Sequence, residues 1–404
     1  MGAEAVGRRL LGEVEEAGLD EILRSVRASA YPELHSSRFG IRPLDRLLHL
    51  SQQQTAQPLP PHNQQPTAQA SRNRDSQKLP LVELTSVGPG QGKTQLIYLI
   101  TAIAILPRHY DGIDLRGKNS AVVIIDTDGR FSVPRLLQVA RCHVHRCIQR
   151  AAAPHDENRP PPSTNNTSNT ETLIADSLSH VHIIQPQSHA SLLSTLRTLP
   201  SYLSSPRAHP SSHRPLHSII LDSASAFFWP LRAAEDDAHA ATIGTQQQQQ
   251  ASSSSSSPTS TAYADLVAEL RALAARLDAA VVATTASVAP RPGDAPGMAM
   301  RPLLPPAFTN AFALVRLGVR REGVQPFAPA MSVREAQRER AQRQGVVEKG
   351  GVGVWVDGWG AAAWGKEVRE AMEQGAGRWR FVIRAEGVWV EEDVEGEGSR
   401  DDEE

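Results

Sequence analysis

The sequence has little of several features that would mark a specialised class of protein. It holds only two cysteines in 404 residues, Cys142 and Cys147, which excludes a disulfide-rich scaffold and favours a reducing compartment. Its 42 basic and 44 acidic residues give a net charge of −2, so global charge does not point to nucleic acid. The longest apolar run, 96–106, is too short to span a bilayer, and the N-terminus lacks the apolar core of a signal peptide. We therefore expect a soluble intracellular protein with no membrane partner.

Apolar residues are also scarce in four stretches that are rich in Gln, Ser, Pro, Asn or Thr. Such compositions bury too little apolar surface to offset the entropy lost on ordering. These stretches are 51–80, 151–172, 203–215 and 245–260. We predict an N-terminal helical entry segment over 1–50, a disordered linker over 51–80, one domain over 81–390 interrupted by the other three inserts, and an acidic disordered tail over 391–404.

The rest of the chain alternates compact apolar strands with helical patterns, which predicts an α/β fold with a mainly parallel sheet covered by helices on both faces. The predicted strands are 81–84, 121–125, 181–184, 217–221 and 280–284, and the predicted helices are 1–30, 94–106, 134–150, 191–199 and 263–277. Two further runs, 312–317 and 380–384, are predicted to add antiparallel edge strands.

The string VGPGQGKT at 87–94 follows the first strand and departs at one position from the phosphate-loop pattern G-x-x-x-x-G-K-[ST]. Val87 stands where the first Gly belongs, and a β-branched residue resists the dihedral angles that Gly tolerates. In such a loop Lys93 reaches the phosphates of ATP and the Thr94 hydroxyl binds Mg²⁺. The candidate nucleotide contacts are Gly88, Gly90, Gln91, Gly92, Lys93, Thr94 and Gln95.

Two acidic residues that follow strands are further candidates. Asp222 ends the strand at 217–221 and is the candidate second ligand of Mg²⁺, the alternative being a cap of the next turn. Asp128 follows the strand at 121–125 and is a candidate for orienting the attacking water; the alternative is a helix cap. A thiol-based metal site at Cys142 and Cys147 is not expected, because no second ligand pair accompanies them.

Other residues bear on nucleic acid and on catalysis. Ala286 follows the strand at 280–284, where ATPases whose nucleotide state moves a DNA-binding loop often have a polar amide that senses the γ-phosphate, and Ala286 cannot make that hydrogen bond. The basic residues Arg316, Arg320 and Arg321 and the run 334–343 are candidate contacts of a nucleic-acid backbone, and the alternative for the run is a solvated helix face. The aromatic residues at 227–229 are interpreted as core.

The order of the GKT loop, IIDTDGRF at 124–131, IILDSASAFFW at 219–229 and VVATT at 281–285 resembles the RecA-type P-loop ATPase core of eukaryotic recombinase paralogues, and in particular their short members. The resemblance covers most of 1–50, 81–150, 175–235, 262–320 and 375–390. It implies a RecA-like fold, ATP and Mg²⁺ as cofactors, and a nuclear role in homologous recombination and double-strand break repair. It also implies assembly with another recombinase paralogue, and contact with single-stranded DNA directly or through that complex.

Three departures from the family pattern affect hydrolysis. Val87 replaces a loop Gly, Asp128 stands where recombinases use Glu, and Ala286 removes the phosphate sensor. Each lost contact around the γ-phosphate costs on the order of 100-fold in rate. The sequence therefore predicts ATP binding with slow or absent hydrolysis. An active DNA-dependent ATPase and a P-loop protein unrelated to repair are the alternatives.

Overall fold

The computed structural model describes residues 37–54, 79–152, 167–243, 257–289, 300–324, 327–358 and 377–391, together with the isolated positions 26, 29, 370, 372 and 375. Most of the helix predicted over 1–30, most of the linker predicted over 51–80, and the acidic tail beyond Glu391 lie outside the described residues.

A single mixed sheet forms the centre of the domain, in the order β12-β11-β10-β9-β1-β7-β6-β4-β5, with β8 paired to β7. The strands from β9 to β5 in this order are parallel, and β10, β11 and β12 extend one side of the sheet in antiparallel fashion. Their bounds are β1 Leu81–Ser86, β4 Ala121–Asp126, β5 Val181–Ile184, β6 Leu216–Asp222, β7 Ala280–Val288, β8 Arg301–Pro302, β9 Val315–Arg321, β10 Gly351–Val356, β11 Arg378–Ile383 and β12 Val388–Val390. A separate hairpin joins β2 His109–Tyr110 to β3 Ile113–Asp114.

Helices cover both faces of this sheet. Alternate strand residues point to opposite faces, so Val122 and Ile124 enter one apolar core while Val123 and Ile125 enter the other. The helix bounds are α1 Arg42–Gln54, α2 Lys93–Ile105, α3 Val133–Ala152, α4 Thr167–Leu178, α5 His189–Leu203, α6 Phe228–Ile243, α7 Pro258–Leu277, α8 Pro306–Thr309 and α9 Val333–Lys349. Helices α1 to α4 contribute to the first core, and α5 to α8 to the second.

The α/β fold class predicted from the sequence is confirmed, and the mostly parallel sheet with helices around it is consistent with a RecA-like core. Of the helices in the described part of the chain, none is long and apolar enough to cross a membrane.

The antiparallel edge strand predicted over 312–317 is wrong in bounds and direction. The strand is Val315–Arg321, it lies inside the sheet, and it is parallel to β1. Phe308 and Phe312 are fully buried in the core beneath α7, and they lead the chain back to the amino end of the sheet. Residue 314 then donates its backbone N–H to the Leu81 carbonyl, so the strand that follows must run alongside β1 in the same direction.

Three of the predicted inserts contain ordered structure. Helix α4 begins at Thr167, α7 begins at Pro258, and a 3₁₀ helix spans Pro210–His213 within the stretch 203–215 that was predicted to be disordered. The reason in the last case is polar pairing: the buried Ser211 hydroxyl lies 2.9 Å from His180 Nδ1 and 3.0 Å from His182 Nε2. Mutual hydrogen bonds let polar side chains pack where composition alone predicts a solvated loop.

Candidate nucleotide site

The candidate residues meet at the carboxyl edge of the parallel strands. Strands β1, β4, β6 and β7 are neighbours in the sheet, and the loop at 87–92, Asp128 and Asp222 all lie at or just beyond the ends of these strands. Open parallel sheets bind ligands at this edge, because the loops that leave it surround a crevice.

The second half of the loop contains two glycines in the left-handed region. Gly90 and Gly92 adopt left-handed φ angles of 72° and 108°, which glycine alone adopts without strain. Gly92 precedes α2, and no side chain caps that helix, so the N–H groups of its first turn remain available to an anion. Val87 is not among the left-handed residues, and its side chain is 46% exposed. The Val for Gly replacement therefore leaves the loop entrance unstrained.

Lys93 lies at the start of α2, with its side chain directed back to the end of β1. Its ammonium group donates a hydrogen bond to the Ser86 hydroxyl, which in turn donates to the Gly88 carbonyl at 2.8 Å. Burial lowers the pKa of Lys93, and the nearby Asp222 and Asp128 carboxylates oppose that shift. A desolvated ammonium group with a weak hydroxyl partner is suited to bind an incoming phosphate oxygen.

Thr94 and Asp222 form the part of the site that fits a magnesium ion. The Thr94 hydroxyl donates to Asp222 Oδ2 at 2.9 Å, and the Thr284 hydroxyl donates to Asp222 Oδ1. Asp222 is buried, and burial raises its pKa, while the hydrogen bonds from Thr284 and Thr94 lower it. Magnesium prefers oxygen ligands and shares its shell with substrate phosphates, so one hydroxyl and one carboxylate suffice as protein ligands.

The two carboxylates of the segment 126–128 have different surroundings. Asp126 is buried and accepts hydrogen bonds from the Arg130 and Phe131 backbone N–H groups and from Gln185 Nε2, at 3.0 to 3.1 Å. Asp128 is exposed and interacts electrostatically with Lys93 and Asp222. Asp126 therefore holds the turn after β4 in place, and Asp128 is the carboxylate that faces the site.

Hydroxyl groups that the sequence reasoning did not single out surround Asp222. Thr127 and Ser223 exchange two hydrogen bonds, Ser223 N to Thr127 Oγ1 at 2.7 Å and Thr127 Oγ1 to the Ser223 carbonyl at 2.8 Å. Ser225 Oγ accepts from the Ala286 backbone N–H at 3.1 Å and lies 2.9 Å from Ser223 Oγ. The signal for this hydroxyl network in the sequence was the dense Ser and Thr content after β6 and in β7. The network lies next to Ala286, whose side chain cannot hydrogen-bond a phosphate.

Gln91 and Gln95 connect the loop to the antiparallel side of the sheet. Gln91 Oε1 accepts from the Arg321 backbone N–H at 3.0 Å, and Gln95 Oε1 accepts from Arg135 Nε at 3.0 Å. Arg135 also donates to the carbonyls of Arg384 and Ala385 at 2.7 Å each. These two side chains hold the loop against its neighbours, so both are engaged within the protein.

Two further sequence interpretations need correction. Arg316, expected with the surface cations, is 6% exposed, because β9 lies inside the sheet and directs it between two carboxylates. Trp229, interpreted as core, is 66% exposed, because it lies on the outer side of the first turn of α6. Its neighbours Phe227 and Phe228 do pack against the second core.

Both cysteines are free thiols on α3. Cys142 is partly buried and Cys147 is buried, both on α3. Within the described residues, no group of three or more His, Cys, Asp or Glu side chains could hold a metal ion. The Thr94 and Asp222 pair is of another kind, since its ion would share the oxygens of a bound phosphate.

Comparison with curated proteins shows a similarity to a DNA repair protein. No protein-family model matches this chain. Over 143 residues the chain is 31% identical to mouse DNA repair protein XRCC2, a stretch that covers 35% of this chain and 39% of XRCC2. The chain thus spans about two fifths of the length of this curated relative.

Proposed function

We propose that this protein is a RecA-type recombinase paralogue of the XRCC2 kind, which acts in homologous recombination and DNA double-strand break repair. The similarity to a DNA repair protein, the RecA-like sheet and the strings that flank the strand ends all support this role. The protein works in the nucleus, in a complex with another recombinase paralogue, and supports recombinase filaments on single-stranded DNA.

The observation that carries the proposal is the convergence of Lys93, Thr94 and Asp222 at one strand edge. Thr94 and Asp222 are in direct contact at 2.9 Å, and Lys93 lies close enough to Asp222 for their charges to interact. A bound Mg²⁺ would neutralise charge on the phosphates of ATP. Thr94 and Asp222 would hold that ion, Lys93 would bind phosphate oxygens, and the backbone at Gly90 and Gly92 would permit close approach of the phosphates.

The same site offers little assistance to hydrolysis. Asp128 is one methylene shorter than Glu, a difference of about 1.5 Å in reach toward an attacking water. Ala286 supplies no side-chain donor to the γ-phosphate, and its backbone N–H is already bonded to Ser225. We therefore propose that ATP has a structural or regulatory role in the complex and is hydrolysed slowly or not at all.

The test of the nucleotide site uses the full chain and a fluorescent ATP analogue with Mg²⁺. Lys93→Ala is expected to weaken binding at least about tenfold, or about 1.4 kcal/mol. Arg108→Ala, an exposed cation remote from the strand edge, is the matched control and should bind as the wild type does. Equal affinity of wild type and Lys93→Ala would mean that this edge does not hold the nucleotide.

Turnover and partner capture separate the proposal from its alternatives. ATP hydrolysis measured with and without single-stranded DNA should stay at background; stimulated turnover would instead favour a DNA-dependent ATPase. Affinity capture of the tagged chain from nuclear extract should recover a recombinase paralogue, identified by mass spectrometry. Recovery of no recombination protein, with nucleotide binding intact, would favour a P-loop protein unrelated to repair.

A further inference from the structure

Helix α9 is highly exposed. None of its seventeen residues is buried, and Val333 and Val347 are 76% and 63% exposed. The helix is nonetheless well terminated: Ser332 and Glu335 form a reciprocal capping box, and Gly350 ends it in a left-handed conformation with φ 65°. Packing against the described residues does not explain a helix with strong caps and no buried side chain.

The helix is located at the same edge of the sheet as the phosphate loop. It lies between the carboxyl end of β9 and the start of β10, and β9 is parallel to β1. The last residue of β9, Arg321, bonds the loop residue Gln91 through its backbone N–H. The segment that carries α9 thus leaves the domain next to the nucleotide site.

The carboxylates of α9 are already occupied within the helix. Glu335 accepts from Ser332 in the capping box, Glu339 pairs with Arg343 at 2.7 Å, and Glu348 accepts from Gln344 at 2.8 Å. Arg343 also stacks on the Phe327 ring, with 4.0 Å between the guanidinium carbon and the ring centroid. In the described structure none of these carboxylates forms an ion pair with Arg334, Arg338 or Arg340.

Five arginines at this edge are exposed, and the described structure gives their guanidinium groups no ion pair or hydrogen bond. We call them the arginine surface: Arg320, Arg321, Arg334, Arg338 and Arg340. Two of them, Arg334 and Arg338, stand one helical turn apart on the same face, with a rise of about 6 Å between them. A net charge of −2 for the whole chain makes this local excess of positive charge distinctive.

We propose that the arginine surface binds the phosphodiester backbone of a nucleic acid. Guanidinium groups form bidentate hydrogen bonds with phosphate oxygens, and the pair Arg334 and Arg338, on one face of the helix, can contact neighbouring phosphates. No aromatic side chain lies on α9 itself, so binding there is to the backbone and does not depend on base sequence. The choice of a nucleic acid over another polyanion rests on the proposed repair function.

The experiment measures binding of a fluorescein-labelled oligodeoxythymidine to the full chain by anisotropy over a range of salt concentrations. The test variant is Arg334→Gln/Arg338→Gln, which removes both charges and keeps helix propensity. The matched control is Arg42→Gln/Arg46→Gln, which removes two exposed arginines with the same spacing from α1. Both variants change the net charge by the same amount.

The test variant should bind the oligonucleotide about tenfold more weakly than wild type and the control. Its slope of log affinity against log salt should be shallower by about 1.4, since each phosphate contact to a single strand contributes about 0.7. Equal affinity and slope in all three proteins would overturn the proposal, as would the absence of measurable binding to wild type. Nucleotide binding measured on the same preparations shows whether such a failure is separate from failure of the ATP site.

A truncation after Glu391 tests another occupant of the arginine surface. The segment 392–404 is strongly acidic and could itself pair with these arginines. The truncated chain is expected to bind the oligonucleotide with the affinity of the full chain. Binding that appears only after truncation would identify the acidic tail as the occupant and would overturn the proposal for the intact protein.

Discussion

Gly92 illustrates how one residue serves both the nucleotide loop and the packing of distant strands. Its φ of 108° turns the chain into α2. A Cβ built on it would lie 3.2 Å from side-chain atoms of Ile383 and Phe381 and 3.3 Å from Val352. The motif pattern predicted a glycine here for phosphate binding, whereas the contact with β10 and β11 is visible only in the fold.

Gly92→Ala is therefore predicted to destabilise the protein more than Gly90→Ala. Both positions have left-handed φ, which costs a residue with a Cβ about 1–2 kcal/mol, but a Cβ on Gly90 has no neighbour within 4 Å. We expect Gly92→Ala to lower the free energy of unfolding by about 1 kcal/mol more than Gly90→Ala, because three side chains must also move. Urea denaturation of both variants measures the difference, and equal losses would show that the strands adapt without cost.

Asp222 is predicted to be a residue whose charge opposes stability. Burial raises its pKa in the folded chain above the unfolded value, so the stability it contributes is present at low pH and is lost as the pH rises through the folded pKa. Asp222→Asn should therefore raise the melting temperature of the ligand-free protein at pH 7.5 while removing Mg²⁺-dependent ATP binding. A variant that is less stable at pH 7.5 would show that the hydrogen bonds from Thr94 and Thr284 outweigh the burial of charge.

At the scale of elements, the sequence predicted the central strands well and the added ones poorly. Strands β4 and β6 are continuous apolar runs buried on both faces, and such runs have few alternative structures. Strand β10, Gly351–Val356, was not predicted, because its two glycines and short apolar run have no distinct period. The direction of β9 also depends on the path taken through α8, which no local pattern encodes.

The burial of the histidines around β5 also could not be predicted from local sequence, because it depends on partners far along the chain. His182 on β5 lies 3.0 Å from both Tyr202 Oη and Ser211 Oγ, and Ser211 belongs to the stretch 203–215 that composition marked as an insert. Burial, together with the neighbouring His209 and His180, lowers the pKa of His182 to about 4. The fold therefore holds this imidazole neutral, a state that its position in the sequence does not reveal.

This depressed pKa predicts an acid-sensitive fold. Stability from neutral His182 is fully present above the unfolded pKa of about 6.5 and is lost as the pH falls from there toward the folded value of about 4. Between pH 7.5 and 5.0, His182→Gln should lose about 2 kcal/mol less free energy of unfolding than wild type, since it binds no proton on unfolding. Equal losses in the two proteins, measured by urea denaturation at both pH values, would show that His182 is not responsible.

At the scale of the whole molecule, one buried charge cluster joins the parallel and antiparallel halves of the sheet. Arg316 on β9 lies 3.6 Å from a Glu83 oxygen on β1 and 3.0 Å from an Asp357 oxygen just after β10. Its Nη2 also donates to Ser287 Oγ and to the Met300 carbonyl, on either side of the segment 290–299. The sequence placed Arg316 among surface cations because its partners are distant in the chain and become neighbours only through the sheet order.

Arg316→Met is predicted to be the most destabilising of the substitutions considered. It leaves Glu83 and Asp357, both fully buried, without their cation, a loss of about 3–5 kcal/mol in the free energy of unfolding. Burial already raises the pKa of Glu83 and Arg316 opposes that shift, so without Arg316 the folded pKa rises further and stability falls as the pH increases. The variant should therefore lose more stability at pH 8 than at pH 5.5, and adding Glu83→Gln should restore part of it. A loss that is independent of pH and unrelieved by Glu83→Gln would mean that the arginine acts through packing of its side chain and not through its charge.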